Sequence, residues 1–171
     1  MKNFYQSLGY LIFGSRLKRL SEYFLSEINE VYKKEGIDFD ASWFPVFYLL
    51  SQHQPVAIQE LSETMIVSHS AASQLVTMLK NRGLVSSFKN SADGRKQEIR
   101  LTQKGEELLK RLLPVWDAIN ATLIDKIENT KGSKALLKTL TAAENKLQEN
   151  SLAESITVYL KYPTALQKTE I

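Results

Sequence analysis

Cysteine is absent from all 171 residues, and that absence removes whole classes of chemistry at once. No disulfide can form, no thiolate cluster can hold zinc, and no thiol can serve as a peroxide sensor. A reducing cytoplasm is the compartment this implies. Histidine is nearly as scarce: His53 and His69 are the only two, and neither stands at metal-ligand spacing with other donors or beside a pair of acids. No glycine-rich phosphate loop is present, and nothing in the spacing of Ser, His and Asp positions them as a triad. Neither enzymatic activity nor a metal or other cofactor is therefore expected. Hydrophobic runs are short as well. None reaches membrane-span length, and the apolar stretch Leu8–Phe13 is broken by Gly9 and followed by Arg16, Lys18 and Arg19, too short and too soon charged for a signal peptide. A soluble, uncleaved chain with no membrane partner is expected. Repeats and low-complexity segments are missing, and 43% hydrophobic with 24% charged residues is ordinary globular composition for one or two small domains.

What the chain does contain is concentrated in residues 57–105. Between Ala57 and Met65, the residues Ile58, Leu61 and Met65 fall on one narrow stripe, while Gln59, Glu60, Ser62 and Glu63 face water, which predicts a short amphipathic helix. A second helix is predicted directly after it. Its start is marked by Ser68, whose hydroxyl can accept from a free backbone N–H, and its stop by Gly83, which tolerates a left-handed conformation. Within it, Ala72, Leu75, Val76 and Leu79 share one face; His69, Ser70, Ser73, Gln74, Thr77 and Asn81 share the other. That second face is polar yet uncharged. Short hydroxyl and amide groups suit base edges in a major groove, because each exchanges hydrogen bonds without burying a full charge. An ordinary solvated helix face looks the same, so the decision rests on what flanks it.

Beyond Gly83 the pattern changes to strand, turn-rich loop and strand: Leu84 to Phe88, Lys89 to Arg95, then Lys96 to Leu101. Ile99 and Leu101 alternate with Glu98 and Arg100 to give one buried and one wet face, and Asp93-Gly94 supplies turn chemistry. A β-hairpin is expected. From Lys80 to Arg100, the cations Lys80, Arg82, Lys89, Arg95, Lys96 and Arg100 stand against Asp93 and Glu98, so +4 lies here in a chain of net +3. The rest of the chain sums to about −1, and a local positive field of this kind favours phosphate.

Together these residues resemble the MarR (multiple antibiotic resistance regulator) family of winged helix-turn-helix transcription factors. The resemblance is carried by Leu61, Ser68, the Leu75-Val76 pair, Gly83-Leu84-Val85, Asp93-x-Arg95 and Leu101-Thr102-x-x-Gly105, with long helices on either side. It implies a mainly α fold with a small β-hairpin wing: a winged helix-turn-helix lobe over residues 37–105, flanked by a dimerisation helix at 1–36 and dimerisation helices at 106–171. It implies double-stranded DNA and a second copy of the chain as partners, and a sequence-specific regulator, most often a repressor, acting on pseudo-palindromic operators. The recognition helix would carry Ser68, His69, Ser70, Ser73, Gln74, Thr77 and Lys80 into the major groove. The wing would carry Lys89, Asp93, Arg95 and Lys96, with Arg95 in the minor groove and Asp93 holding it. A guanidinium is weakly hydrated and always charged, so it fits a narrow groove of strong negative potential better than lysine. The plainer role for Asp93 and Arg95 is a surface pair worth at most ~1 kcal/mol.

The long flanking patterns fit a shared dimer domain. From Asn3 to Gly36, Leu8, Ile12, Leu17, Leu20, Phe24, Ile28 and Val31 recur at helical spacing, predicting one continuous helix that stops at Gly36. Leu109, Leu112, Trp116, Ile119, Leu123 and Ile127 repeat the spacing, with a kink or restart expected near Leu113 because of Pro114. Leu136, Leu140, Ala143 and Leu147 continue it after Gly132-Ser133; Leu152 to Leu160 would extend that helix or form another, and the tail after Tyr162-Pro163 would fray. Residues 37–54 hold Trp43, Phe44, Val46, Phe47, Leu49 and Leu50, a buried helix ahead of the reader. Because many members of the family bind small aromatic or lipophilic effectors between the dimer domain and the DNA-binding lobe, Tyr10, Phe13, Arg16, Trp43 and Phe47 are candidates to line an effector cleft. The simpler role for each is core packing.

The chain departs from the family at three places. Ser87, Gln74 and Met78 are uncharged where members commonly carry a basic residue. Fewer phosphate contacts should mean weaker nonspecific binding and a shallower salt dependence. The same loss motivates an alternative, a winged-helix dimer that serves as a protein-interaction module without reading DNA.

Overall fold

The computed structural model describes residues 4–89, 97–131 and 133–162. Backbone contacts divide the chain into two units, Met1–Ile119 and Asn120–Ile171. The first opens with helices α1 (Phe4–Ser7) and α2 (Phe13–Lys34), joined by a 3-10 turn over Gly9–Ile12. The continuous helix expected from Asn3 is thus interrupted: Gly9 takes φ +54°, a conformation a helix cannot continue through, and the long helix begins only at Phe13. Its stop is at Gly36, as expected.

After α2 come a 3-10 turn at Ala41–Trp43, α3 (Phe44–Gln52), β1 (Val56–Ala57), α4 (Ile58–Thr64), α5 (His69–Asn81), β2 (Val85–Lys89), β3 (Gln97–Leu101) and α6 (Gln103–Leu123). The expected hairpin pairs Val85 with Leu101, Ser87 with Ile99 and Lys89 with Gln97, all antiparallel. The strand β1 has no counterpart in the sequence pattern. It adds to the other edge of β3 through Val56–Ile99 and Ala57–Glu98, making a three-stranded sheet of order β1-β3-β2. Two residues are too few to show a period in the sequence.

The core of this unit is built from residues of nearly every element. Leu61, Leu79, Ile99 and Leu112 are fully buried, and each contributes about 1.5–3 kcal/mol by leaving water. Phe39 is the aromatic hub, meeting Tyr32, Trp43 and Phe47 edge-on at centroid distances of 5.1, 5.4 and 5.1 Å. Trp116 on α6 donates its indole N–H to the Tyr32 hydroxyl at 3.0 Å. Burial pushes the Tyr32 phenol above the ordinary tyrosine range, and the Trp116 bond pulls the other way.

The Leu101-Thr102-x-x-Gly105 motif explains how α6 is attached. The Thr102 hydroxyl donates to the Gly83 carbonyl at 2.6 Å and accepts from the Gly105 N–H at 3.1 Å, so one side chain ties the end of α5 to the start of α6. A Cβ at Gly105 would overlap the Leu84 carbonyl. Further along, α6 runs through Pro114 without the expected restart. The carbonyl that loses its donor belongs to Lys110, which is exposed, so water can satisfy it.

In the second unit, α6 ends in a π turn at Ile124–Glu128, followed by α7 (Leu136–Gln148) and α8 (Leu152–Lys161). Leu152 to Leu160 therefore form a helix of their own, begun by the Ser151 hydroxyl, which accepts from the Glu154 N–H at 3.3 Å. Their apolar side chains, Leu152, Ile156, Val158, Tyr159 and Leu160, are exposed.

Candidate nucleic-acid interface

Helices α4 and α5 form a helix-turn-helix, and α5 has the marked ends that its sequence requires. Ser68 Oγ accepts from the Ala71 N–H at 3.2 Å, and beyond Asn81 the chain turns at Gly83 with φ +71°. One face is locked: Ala72, Val76 and Leu79 are buried and Leu75 packs against them. Opposite it, His69, Ser70, Gln74, Thr77 and Lys80 are exposed and Ser73 is half-buried. Apart from the charged Lys80 beside it, this is the uncharged polar ridge expected from the sequence, fixed on a helix whose back is welded into the core.

Not every member of the ridge is equally available. Ser68 spends its oxygen on the helix cap, Ser73 Oγ lies 3.4 Å from His69 Nδ1, and Thr77 Oγ1 donates to the Ser73 carbonyl at 2.8 Å. Ser70, Gln74 and Lys80 have no side-chain partner among the described residues. They are the groups with full hydrogen-bonding capacity to offer a duplex.

The cations divide in the same way. Arg82 Nη1 sits 3.2 Å from Asp38 Oδ2, and its guanidinium lies 4.7 Å over the Trp43 ring. Arg100 lies 4.2 Å over the Phe88 ring. Both are held by the protein itself, which sequence spacing does not reveal because Asp38 and Arg82 are 44 residues apart. Lys89 ends β2 exposed and unpaired among the described residues, whereas Asp93, Arg95 and Lys96 lie outside them. Lys104, which no sequence pattern singles out, donates to the Arg82 carbonyl at 2.9 Å at the C-terminal end of α5. Because Arg82 is engaged by Asp38 and Trp43, Arg82→Gln is expected to lower stability by about 1 kcal/mol or less, the Asp38 carboxylate being largely exposed. The slope of log K against log salt for duplex binding should not change. Comparing both by thermal unfolding and salt titration checks this, since a slope reduced by about 0.9 per protomer would make Arg82 a phosphate contact.

The five candidates for an effector cleft separate. Tyr10, Phe13 and Arg16 line one groove of about 710 Å³ with Leu17, Leu20 and Tyr23. Trp43 and Phe47 do not join it; they are 4% and 0% exposed in the aromatic core. His53, at the end of α3, is exposed and meets Glu60 at 2.8 Å, a contact across seven residues that spacing does not anticipate. Among the described residues no cluster of three His, Cys, Asp or Glu side chains could hold a metal ion, and no helix is long and apolar enough to cross a membrane.

Residues 42–96, which take in the aromatic helix, the helix-turn-helix and β2 and stop short of β3, match the MarR family model. An uncharacterised HTH-type transcriptional regulator of Bacillus cereus is 26% identical over 126 residues, covering 74% of this chain and 82% of its own. Among solved structures, the S. aureus MepR–DNA complex aligns with a TM-score of 0.68 and 17% identity over 79% of this chain and 97% of that one. A mutant MarR from E. coli complexed with operator DNA aligns at 0.65 and 19% identity, over 83% and 98%. At such identities the structures establish the fold. Over residues 42–96 this chain carries a domain that matches the MarR family, on a winged-helix fold shared with solved MarR-type structures.

Proposed function

We infer that the protein is a cytoplasmic, homodimeric, sequence-specific reader of double-stranded DNA that represses transcription from pseudo-palindromic operators and is released by a small aromatic or lipophilic effector. The observation that carries this reading is the pair Ser70 and Gln74, neutral and uncommitted on the outer face of a helix whose inner face is fully packed. Such groups discriminate base edges, and a rigid helix delivers them in fixed register. The two DNA-bound relatives support a duplex as the target.

A second copy of the chain is supported by exposed apolar surface. Leu11 is 93% exposed, and Leu17, Leu20, Tyr23 and Phe24 on α2 are also exposed, more than a small lobe leaves bare without a partner. Two reader helices in such a dimer would enter successive major grooves about 34 Å apart. Arg16 and the rings of Tyr10 and Phe13 give the α2 groove the mixed lining that suits a small aromatic ligand.

Selection of bound fragments from random or genomic duplex DNA tests the reading. Enrichment of a dyad-symmetric site is the expected result. Retention that is indifferent to sequence and abolished by salt would instead favour an interaction module.

A further inference from the structure

Helices α2, α4 and α5 close in the same way, with the residue after the cap left-handed and two reversed backbone bonds behind it. At α2 that residue is Gly36, φ +62°, with Gly36 N–H donating to Lys33 at 3.1 Å and Ile37 N–H to Tyr32 at 2.8 Å. At α5 it is Gly83, with bonds from Gly83 to Lys80 at 2.8 Å and from Leu84 to Leu79 at 3.0 Å. At α4 the bonds recur, from Ile66 to Glu63 at 3.2 Å and from Val67 to Ser62 at 3.0 Å, but the left-handed residue is Ile66, φ +53°. A β-branched side chain is among the worst choices for that conformation.

Packing does not compensate. Ile66 is 80% exposed, so its side chain gains nothing from the core that would offset the strain. Its position is specific: it fills the turn of the helix-turn-helix, two residues ahead of the Ser68 cap, at the end of the ridge that presents Ser70 and Gln74. The hydroxyl and amide groups on that ridge can answer the hydrogen-bonding atoms of a groove, whereas for its apolar atoms the ridge offers little beyond the Thr77 methyl. Those apolar atoms are the thymine C5 methyl and the deoxyribose carbons that border the groove.

We propose that Ile66 is a specificity-setting contact, a hydrophobic side chain held strained and exposed at the head of the reader helix to press on an apolar carbon of the duplex. The proposal rests on the DNA-reading function inferred above. Strain retained where folding gains nothing from it is the signature of a side chain kept for a ligand.

The test uses the full chain and the site recovered by selection. Ile66→Gly and Ile66→Asn both relieve the left-handed residue, and Asn does so without glycine's added freedom. Both variants are expected to raise Tm while weakening binding to the recovered site, by about fourfold per half-site for each methylene-sized group withdrawn from the duplex. Replacing each thymine of the site by deoxyuridine removes only the methyl. If wild type weakens by the same factor and the variants do not, the methyl is the contact; if neither responds while the variants remain weak, the deoxyribose is. Unchanged or tighter binding by both variants would overturn the proposal with the operator still in hand. So would dissociation of the dimer in sedimentation, which would show that Ile66 touches protein. Failure to recover any dyad site would overturn the DNA-reading function itself, and the proposal with it.

Discussion

Leu79→Ala is expected to lower Tm by roughly 5–20 °C, because it removes a fully buried side chain from the back of the reader helix. The loss combines the transfer energy of the missing carbons with the cavity they leave, about 2–5 kcal/mol. Leu79 has no room to be replaced by neighbours: Ala72 and Val76 beside it on α5 are already buried, and its own carbonyl accepts the Leu84 N–H that closes the helix. Against a total stability of about 5–15 kcal/mol, that loss is large. Ser70→Ala and Gln74→Ala, on the opposite face, should stay within about 0.5 kcal/mol of wild type while altering which bases are tolerated. Thermal unfolding of the three variants, beside fragment selection, separates the faces. Should Gln74→Ala melt as early as Leu79→Ala, the polar ridge is packed against protein and is not a reading surface.

That division of labour is the most legible part of the chain. Periodicity alone separates Ala72, Val76 and Leu79 from Ser70 and Gln74, and the ends of α5 follow from Ser68 and Gly83, since capping chemistry is local. The hairpin register also follows from alternation, with Ile99 and Leu101 inward. What escapes is non-local or too short. The β1 strand has two residues, the Asp38–Arg82 pair spans the lobe, and the break at Gly9 depends on a backbone angle that an otherwise regular apolar stripe conceals.

The effector candidates show the opposite failure. Aromatic density around Trp43 and Phe47 reads equally as a ligand wall or a core, and the structure uses both rings to hold Phe39. Tyr10, Phe13 and Arg16 carry a weaker sequence signal yet share a groove, because the 3-10 turn that holds Tyr10 runs directly into the exposed start of α2. Charge misleads in a similar way. Counting cations between Lys80 and Arg100 locates a positive segment, but Arg82 and Arg100, though exposed, are engaged by rings of the protein itself. A count of charges measures the field of a segment, not the number of phosphates it can touch.

This bears on the three uncharged positions. If the reader helix and the strand after it lie against DNA, adding Gln74→Arg and Ser87→Lys should steepen the salt dependence, since each new phosphate contact adds about −0.9 to the slope. Two such groups in each of two protomers make about −3.6, an additional weakening near a hundredfold between about 50 and 200 mM salt. Gln74 has no partner to lose among the described residues, and Ser87 only a hydrogen bond accepted from Gln97 at 3.2 Å, so the double variant should fold as wild type does. At low salt it should bind any duplex more tightly, and its preference for the selected site over random sequence should shrink, because the added energy is indifferent to base identity. Salt titrations on the selected site and on a scrambled one give both quantities. An unchanged slope with a folded protein would mean that these positions do not face the phosphate backbone, and the docking inferred for α5 and β2 would have to be abandoned.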